Sequence, residues 1–161
     1  MIDLNQIKQR ILQGEQIEEI IEEIDWKDFE ELVTKILEKH DFNTHHNFRF
    51  KTGRRYEIDV LGIRNEIILL IDCKQWGRGR YKKSALKNAT NNQKQRTKQL
   101  KRFLKNNIIA QNKLKITKLS GTKFITLIVT WLEEDLIEHE NVLIVPIWKF
   151  NEFLLNISNY V

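Results

Sequence analysis

The 161-residue chain has one cysteine, one proline and six glycines, and each shortage excludes something. A lone thiol, Cys73, closes no internal disulfide and fits a reducing compartment, so a cytoplasmic setting is expected. One cysteine beside His40, His45, His46 and His139, at no recognisable ligand spacing, builds no zinc site. The adjacent His45 and His46 read as a solvent-facing loop or edge-strand pair. With so little proline and glycine, no flexible linker divides the chain. Residues 1–161 are expected to form one domain, a helical extension over 1–24 and a core over 25–161. No apolar run reaches the roughly 18 residues of a membrane span, and neither a signal peptide nor a membrane partner is expected.

The next absence is of negative charge. From Cys73 to Leu132 there is no Asp or Glu against 16 Lys plus Arg, whereas residues 1–72 hold 10 basic and 16 acidic side chains and residues 133–161 hold one and six. A solvated face ordinarily mixes signs and gains from i,i+4 pairs. A one-signed stretch of this length is the electrostatic footprint of a polyanion binder.

Periodicity supplies the elements. Two short helices precede residue 25, the first ended by Gly14. Asp25 is positioned to cap a helix over about 27–39, with Phe29, Leu32, Val33, Ile36 and Leu37 as its apolar stripe. At about 100° per residue Glu30 falls on the edge of that stripe and Glu31 points away. Strands are expected at Asn47–Lys51, Tyr56–Ile63 and Glu66–Lys74, joined by turns at Thr52-Gly53-Arg54 and Arg64-Asn65 as an antiparallel meander. A basic loop, Gly77 to Lys83, leads to a helix over about 84–106. Its core side carries Ala85, Leu86, Ala89, Gln93, Leu100, Phe103 and Leu104; its other side carries Lys83, Lys87, Lys94, Lys98, Lys101, Arg102 and Lys105. Strands Phe124–Trp131 and Val142–Ile147 flank an acidic connection, and a helix from about Trp148 to Ile157 follows.

Charges gather where the apolar strands end. Ile67-Ile68-Leu69-Leu70-Ile71 runs straight into Asp72-Cys73-Lys74, and the strand before it carries Asp59. Alternation puts Asp72 and Lys74 on one face, roughly 6–7 Å apart along the strand. Glu57 and Leu61 share the Asp59 face, which leaves Glu57 a competing acid. Carboxylates beside an ammonium suit a divalent cation and a phosphate better than a core.

Helix Glu30, then Asp59, then a strand ending Asp72-Cys73-Lys74 resembles the PD-(D/E)XK nuclease superfamily over roughly Asp25 to Leu104. The run Trp26-Lys27-Asp28-Phe29-Glu30-Glu31-Leu32-Val33 is similar to the opening of its Mrr-like restriction endonuclease and archaeal Holliday-junction resolvase branches. Ile58 stands where the motif name has proline, Asp72 replaces the commoner Glu, and the Gln of many Mrr-type motifs is absent.

The resemblance implies a restriction-endonuclease-like α/β fold, a mixed sheet flanked by helices, and metal-dependent hydrolysis of DNA phosphodiesters by an endonuclease of restriction or repair type. A Holliday-junction resolvase and an inactive nucleic-acid-binding module on the same fold are the alternatives. Mg²⁺ or Mn²⁺ would be held by Asp59, Asp72, Glu30 and the backbone carbonyl of Cys73, with Lys74 orienting water or stabilising developing charge. DNA would meet Arg78, Arg80, Lys82, Lys83, Lys87, Lys94, Lys98 and Lys101, with Trp76 either stacking on a base or packing. Gln93 is either a secondary site residue or a satisfied buried amide. A homodimer is expected, so that two sites address two strands.

Overall fold

In the computed structural model, which describes residues 3–76 and 82–161, the elements run α1 (Leu4–Leu12), α2 (Ile17–Glu23), α3 (Trp26–Lys39), β1 (Asn43–Thr52), β2 (Arg54–Arg64), β3 (Ile67–Lys74), α4 (Lys82–Lys105), α5 (Ile108–Lys113), β4 (Lys123–Thr130), β5 (Glu138–His139), β6 (Val142–Pro146) and α6 (Ile147–Leu155), with a 3-10 turn at Ile157–Tyr160. Ile2, and the loop residues Arg78, Arg80 and Tyr81, lie outside the described residues.

Local chemistry sets the boundaries. Gly14, at φ 93°, ends the turn after α1. The Asp25 carboxylate accepts the Lys27 N–H at 3.4 Å and caps α3, which buries Phe29, Leu32, Val33 and Leu37. Gly53 at φ 79° and Asn65 at φ 52° make the two hairpin turns of the β1–β2–β3 meander.

The sheet order is β1-β2-β3-β4-β6-β5. β3, β4 and β6 are parallel neighbours, and β5 pairs antiparallel at the edge. In β3, Ile68, Leu69, Leu70 and Ile71 have no exposed surface, as a strand covered on both faces requires. One core packs Phe29, Val33 and Leu37 of α3 and Phe150 of α6 on Leu69, Ile71, Leu127 and Val129. On the other face Leu100 and Leu104 of α4 meet Ile68 and Leu70, while Leu86 and Ala89 meet Ile128 and Ile144. This is the expected helix-flanked mixed sheet of a restriction-endonuclease-like fold, preceded by its N-terminal helices.

Three details depart from the sequence expectation. β1 begins at Asn43, because the stretch before Asn47 pairs with β2 through Asn43↔Ile63 despite lacking a hydrophobic alternation. α5 rests on a local cap, Asn107 accepting the Ala110 N–H at 2.9 Å, and leaves Ile108 and Ile109 exposed, so no stripe announces it. β5 is two residues of the acidic connection held on β6.

Gly62 of β2 is a point of close approach: a Cβ there would stand 3.3 Å from Leu37 Cδ1 and 3.4 Å from Phe42 Cδ1. Gly62→Val is expected to cost about 1–3 kcal/mol by overpacking α3 against the sheet, read as a lower urea midpoint with an unchanged far-UV spectrum.

Candidate active site

The site forms where β2 leaves β3. Their register runs from Arg64↔Ile67 to Val60↔Ile71, whereas β3 stays paired with β4 as far as Lys74↔Thr130. One step past the last β2 pair, Asp59 Oδ2 accepts the Cys73 N–H at 2.9 Å, a side chain standing in for strand backbone. Asn47, whose place in the β1–β2 register falls opposite Asp59, has φ 47°. The alternation of β2 is broken at the same level. Ile58 and Leu61 both join the core under α4, while Val60 joins the core under α3. The expectation that Asp59, Glu57 and Leu61 share one regular face is therefore corrected: the strand switches face around Asp59. Glu57 is exposed and ion-paired to Arg49 across the hairpin at 2.6 Å.

Asp72 is 3% exposed and faces α4. Lys74 Nζ lies 3.0 Å from its Oδ2, and Arg96 Nη1 lies 3.4 Å from its Oδ1. Oδ2, although ion-paired, accepts no well-aligned hydrogen bond among the described residues. The Cys73 thiol packs towards the α3 core, where burial, and then Asp59 and Asp72, push its pKa up, so its backbone rather than its sulfur belongs to the site. Trp131 donates its N–H to Lys74 O at 3.3 Å, and Gln75 Nε2 donates to Ile24 O, tying the strand end to the start of α3.

From α3, Glu30 is buried at 7% exposure, and Glu31 points away into an i,i+4 pair with Lys35 at 2.9 Å. Thr34 donates to Glu30 O at 2.9 Å and its hydroxyl meets the His46 ring. Both histidines lie on the edge strand β1, as expected of the pair, His46 exposed and His45 half-buried with its pKa lowered by burial and then by Lys113 and Lys115.

The carboxylates feel one another. Burial first, then Asp59, Glu57 and Asp72, push Glu30 up to about 7. Burial first, then Asp72, push Asp59 up to about 6, against the opposing Cys73 N–H and Lys74. Among the described residues no three His, Cys, Asp or Glu side chains are grouped so that they alone could hold a metal ion, and a cation here would need the strand carbonyl or water as well. The donors are carboxylate oxygens and a strand carbonyl, the kind a hard divalent cation takes, and the demand of the buried Asp72 for positive charge is met here by Lys74 and Arg96.

The model of the nuclease-related domain, NERD, matches residues 25–139. The chain belongs to this family. NERD domains have a PD-(D/E)XK-like nuclease fold, and the matched span carries Glu30, Asp59, Asp72, Lys74 and all of α4. The chain is 31% identical over 137 residues to an uncharacterized protein of Archaeoglobus fulgidus, covering 84% of this chain and 94% of that one. It is also similar to the crystal structure of a protein of unknown function, at TM-score 0.40 and 18% identity over 81% of this chain and 66% of that structure.

Around the NERD site the sequence-predicted basic residues divide. Lys83, Lys87, Lys98, Lys101, Arg102 and Lys105 are exposed along α4. Lys82 is not a surface charge of that row: it pairs with Glu134 at 2.5 Å with 13% of its side chain exposed. Lys94 is exposed but bonded to Glu140 at 2.7 Å. Trp76 packs beside Leu86, Ile128 and Ile144, with Lys74 Nζ 5.8 Å from its ring. Gln93 is fully buried, donating to Leu127 O at 3.4 Å and accepting from Arg96 Nη1 at 3.1 Å. Sequence reasoning missed Arg96. Its signal was the three-residue step from Gln93, which puts a cation on the flank of the core stripe.

The raised acids fix a pH dependence. A carboxyl whose folded pKa lies above its unfolded value favours the folded state at low pH and loses that contribution as pH rises. For Asp59 the window is from 3.8 to about 6, and for Glu30 from 4.5 to about 7. In EDTA, Asp59→Asn, which keeps an acceptor for Cys73 N–H, is expected to melt roughly 2–4 °C above the native chain near pH 8 and no higher near pH 3, below the window. Equal destabilisation at both pH values would refute the repulsion.

Proposed function

We propose that this NERD protein is a metal-dependent endonuclease hydrolysing DNA phosphodiester bonds, of restriction or repair type. The observation that carries the reading is a buried Asp72, ion-paired to Lys74, gathered at one strand end with Asp59 and Glu30. Asp59 and Asp72, with the Cys73 carbonyl, would hold Mg²⁺ or Mn²⁺, and Glu30 would hold a water or a second cation at the margin. The bound cation would supply charge that polarises the phosphate and activates water.

The chain's own groups do the positioning. The Cys73 N–H fixes the Asp59 carboxylate, so its orientation is set before anything binds. Lys74, held beside Asp72 and 27% exposed, presents an ammonium either to the attacking water or to the charge that grows on the phosphate oxygens. The exposed cations of α4, from Lys83 to Lys105, would track the DNA backbone and make affinity salt-dependent without reading sequence. A homodimer would let two such sites meet two strands.

The test is cleavage of supercoiled plasmid and of a synthetic four-way junction in Mg²⁺, Mn²⁺ or EDTA. Native chain is expected to cut with metal and not in EDTA. Asp72→Asn and Lys74→Ala are expected to lose about 10²–10⁴-fold in rate while still binding DNA. Preference for the junction would move the protein to the resolvase branch. Salt-sensitive binding with no cutting of any substrate would make it an inactive binding module.

A further inference from the structure

Both oxygens of Asp72 face cations of the chain itself. Lys74 Nζ holds Oδ2 at 3.0 Å and Arg96 Nη1 holds Oδ1 at 3.4 Å, on a side chain only 4% exposed. A divalent cation on Asp72 would meet two positive charges already there, and at least one must yield. The two side chains are about equally exposed, 27% and 29%, and differ in how they hold Asp72. Lys74 makes the closer contact from the same strand, and Arg96 reaches across from α4. Its contact with Asp72 is longer than the 2.7–2.9 Å of a strong charge-assisted bond. The same Nη1 donates at 3.1 Å to Gln93 Oε1, a fully buried amide anchored on Leu127 O of β4. Arg96 therefore has a neutral seat that remains when Asp72 is taken.

We propose that Arg96 is a transferable counter-ion. It neutralises Asp72 while the cation site is empty and passes to the DNA phosphate when a divalent cation takes Asp72, so that cation and DNA binding are coupled through one guanidinium. The planar fork of donors suits two phosphate oxygens as well as it suits a carboxylate, which a lysine in its place would not match. The inference rests on the metal-dependent nuclease reading. It adds a phosphate ligand that the strand motif does not contain.

The experiment measures binding, not cleavage, on the full chain. Mn²⁺ affinity is read by the loss of the free-ion electron paramagnetic resonance signal, and duplex affinity by fluorescence anisotropy in Ca²⁺ and in EDTA. Melting curves confirm that each variant is folded. Arg96→Gln removes the competing charge and is expected to bind Mn²⁺ at least about fivefold more tightly without DNA. The gain in duplex affinity that Ca²⁺ gives the native chain should shrink by a similar factor, as reciprocal linkage requires. Arg96→Lys keeps the charge and should leave Mn²⁺ affinity near native while still weakening duplex binding in Ca²⁺. Unchanged or weaker Mn²⁺ binding by folded Arg96→Gln would make Arg96 a structural ion pair and overturn the proposal. No Mn²⁺ binding by the native chain at millimolar concentration would overturn the metal-dependent reading itself, and the counter-ion proposal with it.

Discussion

A central strand buried on both faces cannot end in a carboxylate without an answer to that charge, and the organisation of this site follows from the answer. β3 runs through four wholly buried aliphatic residues into Asp72, itself 3% exposed. An unpaired carboxylate in such a place would be protonated or would destabilise the fold by several kcal/mol. Lys74 meets it from the next residue on the same face and Arg96 from the helix that covers that face. On α4 the buried Gln93 accepts from Arg96 Nη1 and donates to Leu127 O, which links the helix-borne cation to β4. The other buried polar residues of that face are satisfied locally, Thr90 on Lys87 O and Thr97 on Gln93 O and the Thr126 hydroxyl, beside the apolar Leu86, Leu100 and Leu104.

A second acid enters because the sheet opens there. With β2 departing after Val60↔Ile71, the Cys73 N–H would lose its partner, and the Asp59 carboxylate supplies one. The face switch between Ile58 and Val60, opposite the left-handed Asn47, lets β2 continue as half of a hairpin with β1 while it leaves β3. Asparagine tolerates that conformation better than most residues, so the bend is cheap. The outcome is a notch in which strand backbone and three carboxylates are close enough for Asp59 and Asp72 to raise the pKa of Glu30, and for Asp72 to raise that of Asp59.

What sequence could and could not reveal follows from which interactions are periodic. Glu30 was separated from Glu31 by helical phase, and Asp72 was joined to Lys74 by strand phase. The structure buries Glu30, turns Glu31 to Lys35 and pairs Asp72 with Lys74, as those rules require. The Asp59 face was misread because alternation assumes an unbroken strand, and the break depends on where two strands part, which no one-dimensional pattern carries. Arg96 was missed because sorting α4 into an apolar side and a lysine side left no category for a cation on the border. Lys82 and Lys94 were read as surface charges because Glu134 and Glu140, remote in the chain, approach them only in the fold.

Those two long-range pairs also reshape the charge argument. The acidic connection after β4 folds back on α4 and pairs with Lys82 and Lys94, so along α4 the exposed cations outside those two pairs are Lys83, Lys87, Lys98, Lys101, Arg102 and Lys105. That row draws phosphates towards a notch that is itself lined with carboxylates. On the proposed reading, attraction along α4 and repulsion at Glu30, Asp59 and Asp72 would act on the same strand of DNA, and the short-range repulsion would prevail at contact, where screening is weakest. Seating a phosphate would then need the sign of the notch reversed, and Lys74 and Arg96 are already spent on Asp72. A divalent cation would supply that reversal and, by taking Asp72, would leave Arg96 to meet the phosphate.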